Sequence, residues 1–114
     1  MALHYNLSKV YSDASNNDEF ADQTLKLFVS EAENELFVLK NLIEDKNFTL
    51  VEQLAINYQP KLEMLGMTLA FEEVVVIRLW ANRCGKRKEI KETYKSLENR
   101  IEKAIKEIRK DFKL

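Results

Sequence analysis

The chain has 114 residues, 46% of them hydrophobic and 32% charged, with a formal net charge of −1. One self-sufficient folded domain over residues 1–114 is expected, not a disordered segment. Only 2 glycines and 1 proline are present, too few for the turns of an all-β domain or for a glycine-rich phosphate loop.

The single cysteine, Cys84, and the single histidine, His4, leave no internal disulfide and no metal site to expect, and no cofactor is implied. No charged-then-apolar leader opens the sequence, and no apolar run nears the roughly 18 residues of a membrane span. A cytoplasmic protein without a membrane role is expected. The charge is unevenly placed: residues 86–114 carry 11 Lys/Arg against 6 Asp/Glu, residues 1–85 carry 7 against 13.

In chain order, Tyr5 to Ala14 has room for one or two helical turns from Leu7. Ser15-Asn16-Asn17-Asp18 then reads as a break and a helix cap, because these side chains accept from the free amides of a first turn. Ala21, Leu25, Phe28, Ala32, Leu36, Leu39 and Ile43 recur at threes and fours and predict a long helix to about Asp45. Lys46-Asn47-Phe48 makes a tight connection, with Thr49 as the expected cap of an antiparallel neighbour.

In that neighbour, Val51, Leu54, Ala55, Tyr58, Leu62 and Leu65 gather on one side at about 100° per residue. Ile56 lies roughly 160° from Tyr58 and Pro60 about as far the other way, among Glu52, Gln53, Glu63 and Met64. Ile56, Pro60 and Met64 therefore predict an apolar ridge along the solvent face. Pro60 lacks an amide hydrogen, so the Ile56 carbonyl loses its helical donor. Gly66 is expected to end the helix.

Phe71 to Arg83 is apolar almost all round. Its Val74-Val75-Val76-Ile77 run suits a strand by composition. No second strand is on offer, however, and Glu72, Glu73, Arg78 and Arg83 suit the two ends of a helix. Trp80 is expected in the core, and Cys84-Gly85 reads as a stop. The last helix, Lys86 to about Phe112, repeats Ile90, Tyr94, Leu97, Ile101, Ile105, Ile108 and Phe112, with mixed charges elsewhere. Interleaved acids make that charged face a poor fit to nucleic acid. The expected fold is an all-α, antiparallel up-down four-helix bundle with a short leading helix.

Residues Ala55–Met67 read A-I-N-Y-Q-P-K-L-E-M-L-G-M. This resembles the motif of histidine-containing phosphotransfer (HPt) domains, of the form A-H-K-L-K-P-S-F-K-M-x-G-L. Alanine, proline, methionine and glycine fall in register, and apolar residues match at Tyr58, Leu62, Leu65 and Met67. Upstream, D-E-F at Asp18–Phe20 opens a long helix containing F-V-S-E-A at Phe28–Ala32, as the family's helix order requires.

The resemblance implies a bundle that passes a phosphoryl group between receiver domains of a two-component relay. Two departures count against that chemistry here. Ile56 stands where the family has its phosphoryl-accepting histidine, and Gln59 replaces the lysine three residues on. An aliphatic side chain offers no nucleophile, and a neutral amide offsets little of the charge on a moving phosphoryl group. His4, ahead of the first helix, is a poor substitute.

A degenerate member is expected: not an enzyme, docking a response-regulator receiver or a histidine kinase over Glu52, Ile56, Gln59, Pro60, Glu63 and Met64, and monomeric. Single exposed aliphatics are ordinary on protein surfaces, but three in line where the family docks its partners favour a binding face. The alternatives are phosphotransfer through another residue, and a structural bundle that oligomerises through the heptad-like last helix.

Overall fold

The computed structural model describes residues 5–6 and 18–112. It is an all-α four-helix bundle: α1 Asp18–Glu44, α2 Phe48–Met64, α3 Thr68–Asn82 and α4 Arg87–Phe112, with no strand among the described residues. The expected leading helix from Leu7, the break at Ser15-Asn16-Asn17 and His4 lie outside the described residues. Each helix packs on its chain neighbours, α4 returns to α1, and α2 with α3 form the closest pair.

Periodicity locates the core. Ala21, Leu25, Ala32, Leu36, Leu39 and Ile43 of α1 are buried together, as are Val51, Ala55, Tyr58 and Leu62 of α2. Ile90, Tyr94, Leu97, Ile101, Ile105 and Ile108 of α4 complete it, with Phe112 half-buried at the edge. Burying one such aliphatic side chain contributes about 1.5–3 kcal/mol. The heptad-like stripe of α4 thus packs inside the bundle from Ile90 to Ile108. The Val74–Ile77 run is helical, with Val74 and Ile77 in the core.

α1, α2 and α3 end in the same way. After each, two backbone amides turn back onto the last carbonyls: Lys46 to Ile43 and Asn47 to Leu42, Gly66 to Glu63 and Met67 to Leu62, Cys84 to Ala81 and Gly85 to Trp80, all at 3.0–3.1 Å. This closure needs a left-handed residue. Lys46, Gly66 and Cys84 supply it, with φ of 55°, 65° and 53°. Only one of the three is glycine.

Two expected boundaries move. The cap of α2 is Asn47, whose side chain accepts from the Leu50 amide at 3.3 Å. Thr49 is already inside the helix, because the left-handed turn at Lys46 delivers Asn47 to the cap position. α3 begins at Thr68, three residues before Phe71, after Met67, which makes no side-chain cap. The tight closure at Gly66 lets the chain re-enter a helix at once.

Trp80 is fully buried in the core. Its indole nitrogen donates to the Lys86 carbonyl at 2.8 Å, and its ring meets Phe48 edge-on at 5.2 Å between centroids. The start of α2, the end of α3 and the entry to α4 are fastened at this one side chain. At the other end, Tyr5 is buried and donates to Asp111 at 2.7 Å, while the Asn6 amide donates to the Leu65 carbonyl at 2.7 Å. No helix among the described residues is long and apolar enough to cross a membrane.

Candidate functional site

The outer side of α2 carries two stripes. Glu52, Ile56, Gln59 and Glu63, spaced by four, three and four, share the side toward α3. A hydrogen bond from the Asn82 amide to Glu52, 3.2 Å long, fixes that orientation. On α3 the matching stripe is Phe71, Val75, Arg78 and Asn82. Antiparallel register then sets Ile56 opposite Arg78, Gln59 opposite Val75 and Glu63 opposite Phe71.

Pro60 and Met64 belong to the other side. With Lys61 and Leu65 they line an apolar groove whose far wall is Thr24, Leu27, Phe28 and Glu31 of α1. Lys61 holds the seam below it, 3.2 Å from Glu35 and 3.7 Å from Glu31, with its ammonium over the Tyr58 ring at 5.9 Å.

The six sequence-derived residues are therefore distributed unevenly. Ile56 is 46% exposed, and Pro60 and Glu63 are exposed as well. Glu52 and Gln59 are half-buried toward α3. Met64 is half-buried against the core, so it does not continue the ridge onto the solvent face. Its position beside α1 accounts for this: at the last turn of α2 the neighbouring helix covers that angle. The apolar surface is extended instead by Leu27 of α1, 58% exposed on the same groove. Leu27 has a weak sequence signal, standing off the buried stripe of its own helix.

Ile56, Pro60 and Leu27 offer exposed apolar area. Behind Ile56, Tyr58 is buried, and burial together with the nearby Glu35 carboxylate pushes its phenol well above the ordinary value. That ring is a core element with no route to solvent chemistry. Gln59 keeps its Oε1 buried without a hydrogen-bond donor. Among the described residues no group of three His, Cys, Asp or Glu is placed to hold a metal ion. Comparison with protein-family models, curated proteins and solved structures found no match to this chain.

Proposed function

We propose that this chain is an HPt-like docking module of a two-component relay, binding a receiver domain or a histidine kinase without carrying a phosphoryl group. The observation that supports it is Ile56, a large aliphatic 46% exposed in the middle of α2, at the place the motif reserves for its nucleophile. Isoleucine has no lone pair with which to attack phosphorus. It has apolar area to bury, and Pro60, one turn along, leads to the apolar groove that Leu27 lines against α1. Such a face holds a partner by contact, so the complex persists where an active member would transfer and release. A cytoplasmic location accords with this role.

The test is an amide NMR titration of the labelled chain with receiver domains from the same organism. Shifts confined to Ile56–Met64 and the facing turns of α3 are expected. Ile56→Asp is expected to weaken binding while leaving the fold intact, because nearly half of the residue is in water and it stands outside the core. Unchanged affinity in that variant sinks the reading.

A further inference from the structure

The five arginines of the chain are Arg78, Arg83, Arg87, Arg100 and Arg109. Four of them end on an oxygen: Arg83 at 2.8 Å from Glu89, Arg100 at 2.9 Å from Glu73, Arg87 at 2.6 Å from the Glu44 carbonyl, and Arg109 at 3.9 Å from Glu33. Arg78 has no such partner among the described residues. It is half-buried, and its Nε is shielded from solvent without an acceptor. A shielded guanidinium N–H with no acceptor is unfavourable, because the group has given up water and received nothing for it.

Its place in the fold gives it a use. Arg78 stands on α3 in the register position opposite Ile56, across the seam from Gln59. The nearest acid on its own helix, Glu73, is held by Arg100. The Glu52 carboxylate is engaged by the Asn82 amide at the end of the same seam. An isoleucine with solvent-exposed surface and a cation lacking its anion thus share one face.

We infer that Arg78 is the charged anchor of this face, pairing with a carboxylate of an acidic protein surface that packs its apolar rim on Ile56. The inference rests on the docking function proposed above and adds to it the chemistry of the partner. Guanidinium suits the task, since its planar fork meets a carboxylate with two parallel hydrogen bonds and is less strongly hydrated than an ammonium. The partner's anion also satisfies donors that the free chain leaves unmet, so part of the desolvation penalty is already borne before binding.

The experiment measures affinity for receiver domains of the same organism with the wild-type chain and with Arg78→Gln, Arg78→Lys, Arg78→Met and Ile56→Asp, each at low and at moderate salt. Removing the charge is expected to weaken binding about tenfold or more and to flatten its salt dependence. Lysine is expected to restore part of the loss. Methionine keeps the aliphatic stem in its packing, which separates loss of the ion pair from any disturbance of the fold. Thermal melting of Arg78→Gln and Arg78→Met should be unchanged or raised, because both relieve an unpaired half-buried charge. If Arg78→Met and Arg78→Gln bind as the wild type does while Ile56→Asp fails, Arg78 is no anchor and the docking face still stands. If no receiver binds the wild-type chain, the docking function and the anchor fall together.

Discussion

Gly85 lies directly against the indole of Trp80: a Cβ built on it would come within 2.6 Å of Nε1. Trp80 cannot withdraw, being fully buried and tied to the Lys86 carbonyl. The requirement here is for space, since Cys84, one residue earlier, takes the left-handed turn. Gly85→Ala is therefore expected to destabilise the bundle by about 1–3 kcal/mol, the range of overpacking in a tight core. Urea unfolding followed by fluorescence of this single tryptophan checks it.

The left-handed closures make the opposite prediction at their non-glycine positions. Lys46→Gly and Cys84→Gly are each expected to stabilise the fold by about 0.5–1 kcal/mol, the relief of left-handed strain less the added freedom of the unfolded chain. Gly66→Ala should destabilise it, because its φ is 65° and a Cβ there would stand 2.8 Å from the Asn6 carbonyl oxygen. Thermal melts of the three variants give the signs directly.

Replacing Pro60 tests the ridge from the side of stability. Pro60→Ala returns a donor to the Ile56 carbonyl and is expected to stabilise the chain by up to about 3 kcal/mol. Chemical denaturation reads the gain. A gain in stability joined to weaker receiver binding would identify the proline with the shape of the docking face.

Alkaline pH should unfold the protein through its buried phenols. Burial raises the pKa of Tyr58 and of Tyr94, and the neighbouring Glu98 adds to the latter. A raised folded-state pKa leaves stability intact below the unfolded value, about 10 for tyrosine. Stability then falls as pH climbs above 10, by about 1.4 kcal/mol per pH unit for each such group. Tyr58→Phe should remove one group's share of that slope, as measured by urea midpoints at a series of pH values.

Much of the fold was legible because helical periodicity is strong in α1, α2 and α4, and because the Val74–Ile77 run had no strand to pair with. The less legible features depend on neighbours. Thr49 and Asn47 are both competent caps, and only the turn at Lys46 decides between them. Met64 lies at a solvent angle on an isolated helix, yet α1 passes over it. Arg78 reads from sequence as a cation toward the later turns of α3. That it alone among the arginines lacks an oxygen partner within the described residues is a fact of several helices together.

The three repeated helix closures also bear on how the chain folds. Each joins consecutive helices in a few residues, so α1–α2, α2–α3 and α3–α4 contacts form between segments close in sequence and need little loop entropy. Among the described helices, the α1–α4 seam is the main interface built from distant parts of the chain. A bundle dominated by such local contacts is expected to fold in microseconds to milliseconds. The α2–α3 hairpin, the closest-packed pair, is the natural nucleus. Core truncations in that hairpin should slow folding, whereas those along the α1–α4 seam should chiefly speed unfolding.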